Sequence, residues 1–308
     1  MRICRSVQAL RPRASHGTGP LLPSQGIHSL KPEDLPQQLF KTLLPRKMAN
    51  RVNRWYKFRK ADYIIVSYPK CGRTWLRAML SKYYVERYAL PTGTLLDFAN
   101  LHYLNREIPR IFLTHDVINN VLNRLVPPES ISTDKSAYYP RNVVYLARDP
   151  RDVVVSMYFQ RTRRDRNYTG GLQDFIHHDI GGLDTIIRFY NVWAESFPHI
   201  QSRLLVKYEE MRADPLHTLV SLFEFMGHVP DREIIQHAID ECSFERMKTM
   251  ERDNRFNRSW LKAVDVNDDE SFKVRRGKIG GYTDYLNTQE IEVIENIIKT
   301  RLSPVYGY

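Results

Sequence analysis

The segment SYPKCGRTW, residues 67–75, lies between an apolar run and a helix-like stretch. It contains a lysine, Lys70, and a glycine, Gly72. A strand, a turn with glycine and a helix N-terminus together form an anion site, because the first amides of a helix are unpaired. Lys70 precedes Gly72, whereas in the triphosphate loop G-x-x-x-x-G-K-[ST] the lysine follows the glycines. We therefore expect a phosphate loop of another design, with Thr74 at the helix start and Trp75 as a stacking surface for a purine. A capped helix with Trp75 in the core is the alternative.

The segment YLARDPRDVVVSMYF, residues 145–159, could bind a second phosphate. Arg148 ends an apolar run, and Ser156 follows eight residues later in a helix that Asp149 and the next proline would start. Arginine binds phosphate in a bidentate manner that lysine cannot match. Arg148 and Ser156 are therefore candidate phosphate ligands, although a salt bridge from Arg148 to Asp149 or Asp152 would also explain the pattern.

A third basic segment, RRGKIGGY at residues 275–282, combines two arginines with several glycines. Such a loop is flexible and could close over a phosphate, but taken alone it could equally be a solvated surface loop. The preceding residues 250–275 are polar and rich in charge, which indicates either a lid or an ordinary surface loop.

Short apolar runs alternate with longer helix-like segments, which predicts a parallel sheet covered by helices on both faces. The predicted strands are Tyr63–Val66, Ile111–Thr114, Asn142–Ala147 and Arg203–Tyr208. The clearest predicted helices are Thr74–Tyr88 and Pro215–Met226. In such α/β sheets ligands bind beyond the carboxyl ends of the strands. Polar residues occupy all four of those ends: Lys70, His115, Arg148 and Tyr208.

The net charge of +11 is concentrated at the N-terminus. Residues 1–60 hold 13 Lys/Arg and 2 Asp/Glu, whereas residues 61–308 hold the other 33 Lys/Arg and 33 Asp/Glu. The body of the chain is thus neutral, which argues against a nucleic-acid partner and requires any anion site to be built locally. The sequence contains no stretch of 18 or more apolar residues, so no membrane span is predicted.

Residues 1–38 are expected to form a basic, disordered tail, with a targeting segment or a misassigned start as the alternatives. Residues 39–308 are long enough to form a single domain. The three cysteines, Cys4, Cys71 and Cys242, show neither a disulfide framework nor metal-ligand spacing, which suits a reducing compartment.

The basic segments, in this order and together, resemble the motifs of sulfotransferases that use 3′-phosphoadenosine-5′-phosphosulfate (PAPS). YPKCGRTW resembles the 5′-phosphosulfate loop, commonly written YPKSGTTW. Residues 145–159 resemble the 3′-phosphate motif, and RRGKIGGYTDYL resembles the C-terminal RKGxxGDWKNxF. FLTH at 112–115, LLVKYEEMRADP at 204–215 and CSFERMK at 242–248 resemble three further segments of the family. The resemblance covers about residues 40–308 and is nearest to the soluble, cytosolic branch.

The resemblance implies a P-loop-like, three-layer α/β fold and assigns a role to each matching residue. The 5′ end and adenine of PAPS would be held by Lys70, Cys71, Gly72, Arg73, Thr74 and Trp75. The 3′-phosphate would be held by Arg148, Ser156, Arg275, Arg276 and Gly277. Tyr208 and Cys242 would contribute further contacts to the nucleotide. PAPS would be released as 3′-phosphoadenosine-5′-phosphate (PAP), and no metal is expected.

The implied reaction is an in-line attack of an acceptor oxygen or nitrogen on the sulfuryl group. His115 would be the general base that takes the acceptor's proton. Lys70 would stabilise the charge that develops on the departing bridging oxygen. A P-loop kinase or another phosphotransferase, and a nucleotide-binding protein without catalysis, remain the alternatives.

Several positions depart from the family pattern. Cys71 replaces a usual Ser and Arg73 a usual Thr, so that Arg73 either contacts the nucleotide or points away. The family's dimer motif would fall on Thr283, Asn287, Thr288 and Glu292, where only the glutamate remains, which puts a homodimer of the family type in doubt. The sequence does not indicate whether the acceptor is a phenol, another small molecule, a lipid or a carbohydrate. The resemblance implies a cytoplasmic location.

Overall fold

The computed structural model describes residues 45–91, 98–116, 126–256 and 261–308. Within these ranges four strands form one parallel sheet in the order β2-β1-β3-β4. The strands are β1 (Tyr63–Ser67), β2 (Ile111–Thr114), β3 (Asn142–Ala147) and β4 (Ser202–Lys207). The predicted parallel sheet flanked by helices is therefore confirmed.

Hydrophobic burial holds the centre of the sheet. All residues of β1 after Tyr63 and all residues of β3 after Asn142 are buried. Because alternate side chains of a strand point to opposite faces, both faces of the sheet are covered at its centre. The register pairs Val66 with Thr114 on one side and with Tyr145 on the other, so that neighbouring strands end at the same edge.

The described helices are α1 (Arg46–Lys60), α2 (Arg73–Arg87), α3 (Phe98–Leu104), α4 (Pro150–Phe159), α5 (Leu172–Ile176), α6 (Leu183–Ser196), α7 (Tyr208–Ala213), α8 (Pro215–Phe225), α9 (Arg232–Glu241), α10 (Phe244–Arg252) and α11 (Thr288–Arg301). The predicted helix at Thr74 begins one residue earlier, and Asp149 caps α4 as expected by accepting from the Arg151 amide. No described helix is long and apolar enough to cross a membrane.

The expected fourth strand is shifted by one residue. The ladder ends where Ala147 pairs with Lys207, and Tyr208 is the first residue of α7 instead of the last of β4. Glu209 and Glu210 occupy the first turn of α7, where negative charge is favoured by the helix dipole. Tyr208 nevertheless remains at the carboxyl end of the sheet.

The chain divides into two compact units, residues 1–49 and 50–308. Of the first unit only residues 45–49 are described, and they include the start of α1. The tail expected at 1–38 lies outside the described residues. The remaining description concerns the second unit.

A buried carboxylate holds the chain that leads into the C-terminal basic loop. Glu251, at the end of α10, is fully buried and accepts from the Lys273 and Val274 amides at 2.6 and 2.8 Å. Its Oε1 also accepts from Arg164 Nη1 at 3.0 Å. Arg164 ends a π-helical turn, Gln160–Arg164, that continues α4. Because 257–260 are not described, the lid expected at 250–275 stays a prediction, but Glu251 fixes its last residues.

We expect Glu251→Gln to lower the free energy of unfolding by about 3 kcal/mol, because it removes the charge of the buried carboxylate that pairs with Arg164. Urea denaturation of the full chain measures this. Glu245→Gln, an exposed position on the same helix, is the control and should change stability by less than about 0.5 kcal/mol. Equal effects of the two substitutions would contradict the role assigned to Glu251.

Candidate functional site

A cavity of about 350 Å³ opens at the carboxyl ends of the strands. It receives side chains from the loop after β1, from α2 and α4, and from the segment 273–278. The three basic segments identified in the sequence therefore converge on one cavity. The predicted site residues that line it are Lys70, Gly72, Arg73, Thr74, Trp75, His115, Arg148, Ser156, Tyr208, Arg275, Arg276 and Gly277.

The loop after β1 makes a tight turn into α2. Lys70 and Gly72 both have positive φ, at 71° and 88°. A Cβ at Gly72 would lie 2.4 Å from Tyr208 Cδ2, so the glycine permits both the turn and the close approach of this ring. Lys70 is a non-glycine residue in the left-handed region, a strained conformation that is enriched at functional sites. Its Nζ donates to Gln160 Oε1 at 3.2 Å.

Positive charge dominates the lining of the cavity. Among the described residues, nine lysines and arginines line it and Asp152 is the one carboxylate. Burial, followed by the charges of Lys273 and Arg164, lowers the pKa of Lys70 well below its ordinary value. Burial and then Arg164 lower the pKa of Lys273 to about 8. The cations oppose one another, and a bound polyanion would relieve that repulsion.

Arg148 is held by contacts with three neighbouring residues. Its Nη1 lies 3.5 Å from Ser156 Oγ and donates to the Lys70 carbonyl at 3.2 Å. Its Nη2 lies 3.3 Å from Asp152 Oδ2, so the salt bridge to Asp152 considered from the sequence is present. Asp149 pairs with Arg151 instead. Arg148 Nε is buried and has no hydrogen-bond partner among the described residues, and an anion in the cavity would supply one.

The C-terminal basic loop lines the cavity with both of its arginines. Arg275 Nη1 donates to Glu270 Oε2 at 2.8 Å and to the Tyr285 hydroxyl at 2.6 Å. Arg276 is paired with Glu270 and Asp284. These carboxylates orient the two guanidinium groups.

His115 lies at the end of β2, next to the loop of β1. Its Nδ1 donates to the Ser67 carbonyl at 2.9 Å, which leaves Nε2 as the acceptor nitrogen of a neutral imidazole. That nitrogen is 2.5 Å from Arg73 Nη2. Burial and then Arg73 lower the pKa of His115 well below its ordinary value. The expectation that Arg73 contacts the nucleotide or points away therefore has a third outcome, in which Arg73 contacts His115.

Trp75 lines the cavity with a fixed ring. Its Nε1 donates to the Cys242 carbonyl at 2.8 Å, and its ring meets Tyr208 edge-on at 6.2 Å between centroids. The alternative was a capped helix with Trp75 in the core. The ring is instead partly exposed to the cavity.

The two cysteines expected at the nucleotide do not present their thiols to the cavity. Cys71 is fully buried, and its Sγ lies 3.3 Å from the Tyr190 hydroxyl. Cys242 is also buried and contributes its carbonyl to the Trp75 indole. Small side chains fit these core positions, and any contact with a ligand would come from their backbone.

Several lining residues were not predicted from the sequence. They are Pro69, Arg77, Asp152, Arg212, Phe244, Met247, Lys273, Val274, Lys278 and Gly281. Arg77 follows Arg73 at i+4 on α2 and could have been inferred from helical spacing. Lys273 lies two residues before Arg275, within the polar stretch where no periodicity indicated its direction.

The profile of the sulfotransferase domain family matches residues 60–305. Cytosolic sulfotransferase 17 of Arabidopsis thaliana is 28% identical over 276 residues, which cover 80% of this chain and 76% of that protein. The amine sulfotransferase of Oryctolagus cuniculus is 22% identical over 282 residues, covering 85% and 87%.

Solved structures show the same fold. The mouse sulfotransferase SULT7A1 complexed with PAP superimposes with a TM-score of 0.53 at 19% identity, covering 79% of this chain and 84% of that chain. Retinol dehydratase in complex with androsterone and the inactive cofactor PAP gives a TM-score of 0.53 at 20% identity, covering 78% and 80%.

We expect Gly72→Ala to weaken PAP binding by at least about tenfold, because its Cβ would displace Tyr208 and distort the loop. Isothermal titration calorimetry with PAP measures this. Gly227→Ala is the matched control, since Gly227 also has positive φ, 72°, but its Cβ would meet only the Tyr63 hydroxyl at 4.0 Å. The control should lose about 1 kcal/mol of stability from backbone strain and keep its affinity for PAP. Unchanged PAP affinity in Gly72→Ala would contradict the role given to the loop.

Proposed function

Because this chain belongs to the sulfotransferase domain family, we propose that it transfers a sulfuryl group from PAPS to a hydroxyl or amine acceptor. The observation that carries the proposal is that nine cationic side chains of the described residues converge on a cavity next to the strand–turn–helix loop after β1. A nucleotide that carries phosphate at both its 3′ and 5′ positions would pair with several of these cations at once, and Lys70 and Arg148 lie next to each other among them.

The residues present fit PAPS. In this proposal the 5′ end lies on the loop, where the first amides of α2, Lys70 and Thr74 are directed at it. The adenine stacks on Trp75 near Tyr208. Arg148 and Ser156 bind the 3′-phosphate, and the unpartnered Nε of Arg148 is the donor that it would satisfy. The C-terminal basic loop, with Arg275, Arg276 and Gly277, closes the same end.

PAPS supplies the activated sulfuryl group, and the protein positions the acceptor and manages protons and charge. His115 Nε2 takes the acceptor's proton when Arg73 releases it, while Nδ1 stays bonded to the Ser67 carbonyl. The acceptor forms a bond to sulfur, and the bond from sulfur to the bridging oxygen breaks. Lys70 stabilises the charge left on that oxygen, which departs with PAP.

The alternatives make different predictions. A triphosphate loop would place its lysine after the glycine, whereas Lys70 lies before Gly72 at the end of β1. In a binding test, a kinase would prefer ATP to PAP. A nucleotide-binding protein without catalysis would bind PAP but would not transfer a sulfuryl group.

For the acceptor we propose only a chemical class, a small molecule with a hydroxyl or amine group. Small acceptors are indicated by the names of relatives, which include a flavonol 3-sulfotransferase and an amine sulfotransferase. A cytoplasmic location remains an expectation, and a homodimer of the family type remains in doubt because only Glu292 of the dimer motif is retained.

We expect His115→Ala to lower kcat by about 10²–10⁴ and to leave the affinity for PAP within about threefold of the wild type. A radiolabelled-sulfur PAPS assay with a panel of acceptors measures turnover, and calorimetry measures PAP affinity. His217→Ala, an exposed histidine on α8, is the control and should keep both values. Normal turnover in His115→Ala would refute the assignment of the base, and ATP binding without PAP binding would refute the proposed function.

We expect the affinity for PAP to fall as the pH rises through about 8, because Lys273 then loses its charge in the free protein. The phosphates of PAP are already fully ionised there and prefer a charged neighbour. Calorimetry at pH values below and above 8 should show that the wild type loses about tenfold in affinity for PAP. Lys273→Met should start weaker and give a flatter curve, while the exposed Lys299→Met should follow the wild type. A parallel decline in Lys273→Met and the wild type would assign the pH dependence to another group.

A further inference from the structure

Arg73 occupies the one nitrogen through which His115 could act as a base. Nδ1 of His115 is committed to the Ser67 carbonyl, and Nε2 accepts from Arg73 Nη2. An arginine stays charged at neutral pH and can only donate. Arg73 must therefore leave Nε2 before His115 can take a proton.

Arg73 also carries a donor with no partner. Its Nη1 is buried and makes no hydrogen bond within the described residues, and its side chain lines the cavity beside His115. Buried donors in folded proteins nearly always have an acceptor. An oxygen atom placed next to His115 would meet this donor.

The surroundings of His115 favour an anion and oppose a cation. Arg73 from α2, Arg54 from α1 and Lys273 all act on the imidazole with the same sign. Arg54 Nη2 donates to Thr114 Oγ1, adjacent to His115, at 2.7 Å. The neighbouring Asp116 is engaged by Lys135 and Tyr138. A base in such surroundings is weak, and an oxyanion in the same place is stabilised.

Arg73 lies on the same side of the site as His115, where we expect the acceptor to bind. The sheet order β2-β1-β3 places His115 and Arg148 on opposite sides of the loop that carries Lys70. The 3′-phosphate is assigned to Arg148, so the side that holds His115 and Arg73 is the one an acceptor would approach.

We propose that Arg73 is a further catalytic residue, which moves from His115 Nε2 to the acceptor oxygen and makes the site selective for acidic hydroxyl groups such as phenols. This inference rests on the proposed function. The acceptor's hydroxyl proton goes to His115 Nε2, and its electron pair forms the new oxygen–sulfur bond. The bridging oxygen keeps the electrons of the bond that breaks, and Arg73 donates to the acceptor oxygen while it is negatively charged.

The experiment compares the full-length wild type with Arg73→Thr, the residue usual at this place in the phosphosulfate loop. The acceptors are 4-nitrophenol, phenol and benzyl alcohol, in order of falling acidity. In the wild type we expect kcat/KM to fall steeply along this series. In Arg73→Thr we expect the ratio of 4-nitrophenol to benzyl alcohol to fall by at least about tenfold, because the oxyanion donor is lost and His115 becomes a stronger base.

A second measurement does not depend on which acceptor reacts. The ring nitrogens of His115 are followed by nuclear magnetic resonance in the PAP complex as the pH is lowered. We expect a neutral imidazole with its proton on Nδ1 in the wild type below pH 6.5, and protonation at a higher pH in Arg73→Thr. Arg87→Thr, at an exposed position on the same helix, should behave as the wild type in both measurements.

The outcomes separate the inference from the proposed function. An equal loss of kcat/KM with all three acceptors, or a loss of affinity for PAPS but not for PAP, would overturn the inference and assign Arg73 to the sulfuryl group. Titration of His115 near its ordinary pKa in the wild type would also overturn it. A wild type that neither binds PAP nor transfers sulfur would instead overturn the proposed function.

Discussion

Repulsion among the cations at the carboxyl edge of the sheet is the constraint around which the site is built. In the part of the chain that the structure describes, nine lysines and arginines line one cavity, and burial removes water that would otherwise screen their charges from one another. The fold offsets this with carboxylates at the periphery, Glu251 under the segment 273–274 and Glu270 behind Arg275. Arg275 and the backbone at 273–274 are thus held in place before any anion arrives, which lowers the cost of ordering this part of the site on binding.

The sheet itself could be predicted from the sequence because its strands are short apolar runs separated by helical periodicity. Arg148 and Ser156 could be placed in the site for the same reason, since a strand end and a helix start fix their positions. The final residue of β4 could not be predicted, because the ladder ends where β3 ends and this depends on pairing between distant segments.

Other features of the site depend on neighbours that a single segment does not show. Lys273 was missed because an irregular stretch has no period from which to infer the direction of a side chain. The contact between Arg73 and His115 depends on β2 lying next to β1, which is a property of the topology. The burial of Cys71 follows from the packing of Tyr190 of α6 behind the loop.

The π-helical turn Gln160–Arg164 connects two parts of the site through chain geometry alone. Gln160 at its start accepts from Lys70, and Arg164 at its end pairs with Glu251. The wider winding of this turn sets the direction of Arg164 relative to Gln160, since each residue of an α-helix rotates the chain by about 100°. Loss of one residue here would leave α4 intact but rotate Arg164 away from the carboxylate. The number of residues in this turn is therefore as much a part of the site as the identities of Gln160 and Arg164.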